Sequence, residues 1–260
     1  MSPLQETAHR PWPPPRGPWL LGMCWHDLLF AHWPLPPAAL RPLIPPGLEV
    51  DTFDGRAWLG VVPFRMSRTG PRFARRLPWV SAFPELNVRT YVTAGGKPGV
   101  WFFSLDAANP LAVRAARRCF HLPYFDAQMR CQERGGWIEY RSRRTHRGAA
   151  AGEFIGRYRP TGPEYAALPA TLDCWLTERY CLYAASPAGR VYRSEIHHRP
   201  WPLQPAEAEI QVNTAAAHTG IALPEVPPLL HFARYQDVIA WGPEGLSSGG
   251  GDSPRRLGEI

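Results

Sequence analysis

Glu85 and Arg89 stand four residues apart in a stretch, residues 83–92, in which polar and apolar side chains alternate. The polar positions are Glu85, Asn87, Arg89 and Tyr91, and the positions between them are Leu86, Val88, Thr90 and Val92. Because side chains of a strand point alternately to opposite faces, the pattern predicts a β-strand with one polar face. A buried glutamate can act as a general acid or base, and an arginine guanidinium matches the geometry of a carboxylate.

The polar face of this stretch permits two interpretations. Antiparallel sheets commonly expose one face to water, in which case the four polar side chains lie at the surface. Alternatively, the face lines a cavity, with Glu85 and Arg89 held as a compensated ion pair because a buried charge needs a partner. The residues alone leave both interpretations open.

Glu178 and Arg179 follow an apolar segment and form a second acid–base set. The glutamate could act as a general acid or base, and the arginine could bind a carboxylate. Both acid–base sets could equally be buried pairs that stabilise the fold. A further group, His26, Asp27 and His32, could bind a metal ion, but it lacks another suitably spaced ligand, so we expect structural histidines there. His197 and His198 are adjacent and would point to opposite faces of a strand. We therefore predict no metal site.

The elements that position these residues are predicted to be mostly strands. Thirty-one prolines among 260 residues disfavour long helices and favour turns. Asn109-Pro110 is a good helix start, and it opens a predicted helix that runs to about Phe120. We expect a disordered proline-rich arm over residues 1–17, one domain over 18–243 and a disordered tail over 244–260. Residues 67–82 are predicted to form an exposed basic loop.

The formal net charge is +7, yet it is spread along the chain on arginines, and Lys97 is the only lysine. No nucleic-acid-binding module accompanies the charge, so we do not expect a nucleic-acid partner. No run of about 18 apolar residues and no signal peptide is present, so we expect no membrane partner. Five cysteines without a CxxC pair are typical of reduced thiols in a cytoplasmic protein. A homo-oligomer is left open.

Several stretches taken together resemble one family. They are WHDLLFAHW at 25–33, PELNVRTYV at 84–92, FHLPYF at 120–125, LTERYCLY at 176–183, and EIHH at 195–198 followed by WPLQP at 201–205. The set is similar to the YqjF-like family of uncharacterised bacterial proteins, within the acetoacetate decarboxylase-like superfamily. The resemblance covers residues 18–243. It implies a mainly β fold, an antiparallel closed barrel or cone with a few short helices around a small-molecule cavity, and it favours an inward-facing polar row.

The resemblance also bears on the chemistry. Acetoacetate decarboxylases form a Schiff base through a lysine in a Gly-Phe-Pro-Lys-Lys motif, and the counterpart here is residues 121–125, with Tyr124 and Phe125 in place of the lysines. Lys97 is expected in a solvated turn, where an amine with a pKa of about 10.4 is protonated at neutral pH. We therefore expect neither a Schiff base nor a cofactor. Glu85 would match the active-site glutamate of the superfamily.

Two functions follow from these expectations. The first is an enzyme that acts on a small carboxylate or carbonyl compound, with Glu85, Tyr124 and His121 as catalytic residues. The second is a ligand-binding protein that retains the cavity without the chemistry. Both share a predicted set of ligand-binding residues: Arg89, Tyr91, Asn87, Trp25, Trp101, Glu178 and Arg179. The ligand is expected to be a small, anionic molecule.

Overall fold

The computed structural model describes residues 6–73 and 82–246. The strands are β1 (Leu21–Leu35), β2 (Glu49–Val50), β3 (Ala57–Pro71), β4 (Phe83–Ala94), β5 (Lys97–Ala107), β6 (Tyr124–Arg134), β7 (Trp137–Arg144), β8 (Glu153–Pro160), β9 (Cys181–Ala185), β10 (Val191–His197), β11 (Gln204–Asn213), β12 (Leu229–Ala240) and β13 (Glu244–Gly245). The α-helices are α1 (Pro37–Leu40), α2 (Pro110–Phe120) and α3 (Leu172–Thr177), with short 3₁₀ turns at Arg41–Leu43 and Ala217–Thr219.

Nine strands close into a barrel. Their hydrogen-bonded order is β5-β6-β7-β8-β11-β12-β1-β3-β4, and β4 pairs with β5 to complete the ring. The predicted mainly β barrel with a few short helices is therefore confirmed. Two pairings, β5 with β6 and β5 with β9, are parallel. The sheet is thus mixed rather than wholly antiparallel, and α2 supplies the crossover that the parallel β5–β6 pair requires.

A second enclosure adjoins the barrel. β9 pairs with β5, β10 pairs with β9, and β10 also pairs with β12 at Ile196 and His197. β9 and β10 therefore complete another ring, which they share with β12, β1, β3, β4 and β5, on the opposite face of the shared sheet. We call the space inside this second ring the chamber.

β4 belongs to both rings, and its alternation divides its side chains between them. Leu86 and Val88 pack inside the nine-strand barrel with the ring side chains Tyr140, Phe154 and Tyr158. The polar side chains of β4 point to the other face, towards the chamber. Glu85 is 2% exposed and Arg89 is 8% exposed, so the interpretation of a solvated polar face is wrong.

The structure describes only parts of the predicted arm, basic loop and tail. Residues 1–5 and 247–260, within the predicted arm and tail, lie outside the described residues, as do residues 74–81 of the predicted basic loop. The arm from residue 6 to 17 contains no helix or strand, but Arg10 is 7% exposed and its Nη2 lies 3.0 Å from Glu195 of β10. This part of the arm is therefore packed rather than loose. Within the described ranges, no helix is long and apolar enough to span a membrane.

Candidate functional site

Arg89 is a buried cation that has no acid partner among the described residues. Its Nη2 donates to the hydroxyl of Tyr91 over 3.3 Å and approaches the backbone oxygen of Leu176 at 3.5 Å. Its guanidinium lies 5.2 Å from the ring centroid of Phe30, and its Nε has no hydrogen-bond partner. In the part of the chain that the structure describes, no carboxylate forms an ion pair with it. Arg89 therefore presents unused donors and an uncompensated charge.

Tyr91 and His32 complete the polar contacts around Arg89. The Tyr91 hydroxyl donates to the backbone oxygen of Leu176 over 2.8 Å, so its oxygen is the acceptor for His32 Nε2 at 2.7 Å. Burial lowers the pKa of His32 well below its usual value, and the positive charge of Arg89 lowers it further. His32 is therefore a neutral donor at Nε2, while its buried Nδ1 has no partner.

Gly60 on β3 leaves the space that this arrangement needs. A Cβ at this position would lie 3.0 Å from His32 Cδ2, 3.1 Å from His32 Nε2 and 3.4 Å from Arg89 Cγ. We expect Gly60→Ala to lower the free energy of unfolding by about 1–3 kcal/mol, because both buried side chains must shift. Gly17→Ala is the matched control, since nothing lies within 4 Å of its Cβ. Urea denaturation measures both, and equal stabilities would contradict the prediction.

Glu85 occupies the other end of the polar row and contacts Tyr124. The Tyr124 hydroxyl donates to Glu85 Oε2 over 3.0 Å, and Tyr140 donates to the backbone oxygen of Glu85 over 2.7 Å. Burial raises the pKa of Glu85 to about 8; the hydrogen bond from Tyr124 opposes this rise and the carboxylate of Asp106 adds to it. Glu85 is therefore mostly protonated at neutral pH, where it can donate a proton and take it back.

Glu85 and Arg89 do not form the ion pair that the inward-facing interpretation assumed. Four residues of a strand span about 13 Å, which separates their Cα atoms too far for a direct pair. Glu85 contacts Tyr124, whereas Arg89 contacts Tyr91 and Leu176. The row thus carries a proton-donating group at one end and a free cation at the other.

The wall facing the polar row consists of aromatic rings. Trp201 packs edge-on against Phe30 with centroids 5.0 Å apart and stacks on Trp25 at 5.8 Å. Several buried polar atoms around this space have no hydrogen-bond partner in the described residues: Asn87 Oδ1, Arg89 Nε, His32 Nδ1, His231 Nδ1, Trp25 Nε1 and Trp201 Nε1. Buried polar groups in native proteins almost always have a partner, so these atoms are candidates for contacts with a ligand.

Glu178 and Arg179, predicted as a second acid–base set, bind separate partners. Arg179 Nη1 donates to Asp51 Oδ2 over 2.6 Å, and its guanidinium lies 4.8 Å from the Tyr91 ring and 4.3 Å from the Trp175 ring. Glu178 accepts hydrogen bonds from the backbone N–H of Trp201, at 2.8 Å, and from the hydroxyl of Tyr180. Arg179 thereby joins the Arg89 group through Tyr91, and Glu178 holds Trp201 in the aromatic wall.

Two residues of the predicted set lie elsewhere. Trp101 pairs across the sheet with Thr90, so it shares that face of β4, and it packs against the apolar cluster that contains Val92 rather than beside Arg89. His121 ends α2 in the left-handed region, with φ of 54°, and its ring lies 4.7 Å from that of Tyr192 on β10. The contacts of Trp101 and His121 are thus different from those of Glu85 and Arg89, and their assignment to the site stays a prediction.

Lys97 is held far from Glu85. Gly95 and Gly96 form the expected exposed turn, but Lys97 itself begins β5. Its Nζ lies 3.0 Å from Glu195 Oε1, with the side chain 30% exposed, so the amine is ion-paired rather than freely solvated. Glu85 pairs with Ala107 at the other end of β5, ten positions away, a separation of about 33 Å along the strand. The only lysine of the chain is thus bound to a carboxylate and remote from the candidate acid.

The residues considered as metal ligands do not meet. Asp27 contacts Arg65 at 2.9 Å and Arg234 at 2.7 Å, and His26 contacts Ser67 at 2.7 Å. Across the described ranges, no three His, Cys, Asp or Glu side chains are placed to hold a metal ion. Asp27 instead forms ion pairs with Arg65 and Arg234.

Two surface grooves lie away from the polar row. One, of about 390 Å³, lies beside α1; it is lined by Leu35, Pro36, Ala39, Pro42, Leu43, Thr219, Gly220, Ile221 and Ala222. The other, of about 440 Å³, lies between α2 and β6; it is lined by Val113, Arg114, Arg117, Arg118, Asp126 and His146. Neither groove includes a residue of the polar row.

Comparison with known proteins agrees with the resemblance noted in the sequence. A profile of the family DUF2071, described as an uncharacterized conserved protein, matches residues 22–237. The uncharacterized protein YqjF of Bacillus subtilis (strain 168) is 49% identical over 227 residues, which cover 87% of this chain and 93% of that protein.

Solved structures of low sequence identity share the fold. Acetoacetate decarboxylase from Legionella pneumophila matches with a TM-score of 0.61 at 12% identity, covering 92% of this chain and 93% of that one. The enduracididine biosynthesis enzyme MppR complexed with pyruvate matches with a TM-score of 0.61 at 15% identity, covering 92% and 93%. At these identities the likeness supports the fold alone.

Proposed function

The chain belongs to the DUF2071 family, and on that premise we propose that it binds a small monoanionic molecule, a carboxylate, in the chamber and transfers a proton at a carbonyl group of that molecule. Arg89 holds the carboxylate. Glu85 in its ionised form removes a proton from the carbon next to that carbonyl group and then returns a proton to it, and Tyr124 holds Glu85 in place.

The observation that carries the proposal is the uncompensated guanidinium of Arg89. A buried charge without a partner is costly, so a protein that retains one gains from an anion that arrives with the ligand. Arg179 lies against the same Tyr91 ring but is paired with Asp51, and Glu85 is protonated at neutral pH. One positive charge is left over, which matches a ligand with one negative charge.

The protein's own groups support proton transfer rather than amine catalysis. Glu85, with its raised pKa, exchanges protons near neutrality, the range in which a general acid or base is most effective. Lys97 is bound to Glu195 and is far from Glu85. A 2-oxo acid offers both a carboxylate for Arg89 and a carbonyl whose neighbouring carbon can exchange protons, and MppR binds pyruvate, a compound of this class.

A titration of the protein with 2-oxo acids of increasing chain length tests the binding proposal. We expect the acids to bind in calorimetry and the corresponding neutral amides to bind at least about 100-fold more weakly, because the amide removes the charge that Arg89 compensates. Equal affinity for acid and amide would contradict the proposal.

The alternative is a ligand-binding protein without catalysis. The counterpart of the lysine motif holds Tyr124 and Phe125, and Phe125 is engaged in packing, with the Arg144 guanidinium 4.5 Å from its ring centroid. On this alternative Arg89 still binds the carboxylate, while Glu85 only donates a hydrogen bond. The two functions therefore share a binding site and differ in the role of Glu85.

A further inference from the structure

The groove between α2 and β6 is bordered by three arginines. Arg114, Arg117 and Arg118 stand at positions i, i+3 and i+4 of α2, a spacing that places them on one face of a helix. All three are exposed, and together with Asp126 and His146 they line the groove of about 440 Å³. The groove is thus a concave surface lined by three arginines.

The charges of these arginines are not compensated. Arg114 donates to the backbone oxygen of Pro110 over 3.1 Å and Arg117 to that of Tyr124 over 2.7 Å, and none of the three forms an ion pair within the described residues. The one carboxylate of the groove, Asp126, contacts His146 at 2.9 Å. Three guanidiniums against one carboxylate leave two positive charges.

The two arginines of β8 are arranged differently. Arg157 binds Glu209 through two contacts of 2.8 Å, and Arg159 binds Glu207 at 2.5 Å. These two charges are compensated pairwise, so the positive charge of the groove does not continue over β8 and β11. A concave groove of this size suits a small ligand better than the backbone of a nucleic acid, which would need a continuous basic stripe.

We propose that this groove binds a small phosphate monoester. A phosphoryl group carries about −1.5 to −2 charges at pH 7, which matches the two positive charges better than the single charge of a carboxylate. Guanidinium forks bind phosphate oxygens in bidentate geometry. The site is separate from the chamber, although residue 124 links them: its backbone oxygen accepts from Arg117 and its hydroxyl donates to Glu85.

Calorimetric titration with phenyl phosphate tests the proposal. We expect the wild-type chain to bind it and the double substitution Arg114→Gln with Arg118→Gln to weaken binding at least about tenfold, because each lost guanidinium removes charge-assisted hydrogen bonds. Arg117 is left unchanged since it also holds Tyr124. The matched control is Arg130→Gln with Arg141→Gln, two exposed arginines that face each other on β6 and β7 and carry the same charge.

The two controls distinguish a specific phosphate site in the groove from non-specific attraction to net charge and from binding in the chamber. Affinity within about twofold of wild type in the control pair, and also in Arg89→Met, supports a phosphate site in the groove that is independent of the proposed carboxylate site. No binding to the wild-type chain would overturn the proposal. An equal loss in both double variants would also overturn it, because attraction would then follow net charge alone.

Discussion

Arg89→Met is expected to weaken carboxylate binding strongly while leaving the protein at least as stable as wild type. The substitution removes the charge-assisted hydrogen bonds to the ligand, worth about 3 kcal/mol together, so affinity for a 2-oxo acid should fall about 100-fold. It also removes a buried cation that lacks an acid partner in the described residues. We therefore expect the free energy of unfolding to stay constant or to rise by about 1 kcal/mol.

Arg179→Met is the matched control for this prediction. Both arginines lie against the Tyr91 ring, with guanidinium carbons 5.7 Å and 4.8 Å from its centroid, and both are buried. Arg179 is paired with Asp51, so its removal leaves a carboxylate unpaired and should cost roughly 2 kcal/mol of stability, moderated by the 19% exposure of that carboxylate. Urea unfolding and calorimetry of the two variants measure both quantities. If Arg89→Met destabilises as much as Arg179→Met, Arg89 is a structural residue and the proposed binding site is wrong.

The sequence predicts much of β4 because a strand has a local period of two. Alternation at 83–92 identifies the strand and its polar face, and the apolar positions Leu86 and Val88 do pack in the barrel core. Strand geometry also shows that Glu85 and Arg89 are too far apart to pair, a step that the prediction of a compensated pair overlooked. The features of this site that depend on local strand geometry can therefore be predicted from the sequence.

The partners of the polar row depend on long-range strand pairing, which the residues alone do not reveal. His32 meets Tyr91 across 59 positions of the chain, and Leu176 meets it across 85. His32 was noted only as a weak candidate metal ligand, although it alternates with Phe30 and Leu28 on one face of β1. Lys97 finds Glu195 across 98 positions, so its ion pair had no local signal either.

Trp101 is predicted to join the site because it is aromatic, and His121 because it lies in the stretch FHLPYF at 120–125. Their actual places depend on backbone details. The β4–β5 register shifts between Val88 and Arg89, and this shift aligns Trp101 with Thr90 on the face opposite the polar row. His121 adopts a left-handed conformation at the end of α2, where its ring lies against Tyr192. A register shift and a single positive φ are rarely visible in a sequence.

Glu85→Gln is expected to separate catalysis from binding. In the enzyme, the ionised fraction of Glu85, which its pKa of about 8 leaves near neutral pH, removes a proton from the carbon next to the ligand carbonyl, and the acid so formed returns a proton to that carbon. Hydrogen–deuterium exchange of a bound 2-oxo acid should therefore fall about 10²- to 10⁴-fold in this variant. Affinity for the acid should change less than about threefold, since Arg89 is intact. Nuclear magnetic resonance of the 2-oxo acid in deuterated buffer follows the exchange, and Glu209→Gln, an exposed carboxylate on β11, is the control.

The outcomes of this experiment distinguish the two proposed functions. Exchange at the wild-type rate in Glu85→Gln would show that another group moves the proton. If the wild-type chain binds the acid but does not accelerate exchange, the ligand-binding alternative holds and Glu85 is only a hydrogen-bond donor. In either case the affinity measurement stands separately, because it depends on Arg89.

The same variant should change how stability depends on pH, because burial raises the pKa of Glu85 from 4.5 to about 8. As pH rises through 4.5 the unfolded chain releases this proton first while the folded chain keeps it, so folding is progressively disfavoured until about pH 8 and the loss is complete above that value. Glutamine does not ionise and escapes this loss. The stability of Glu85→Gln relative to wild type should therefore increase between pH 4.5 and pH 8, by up to about 5 kcal/mol. Urea unfolding of both chains across this range measures the difference. A constant difference would mean that folding does not raise the pKa of Glu85, so that Glu85 would not exchange protons near neutral pH as proposed.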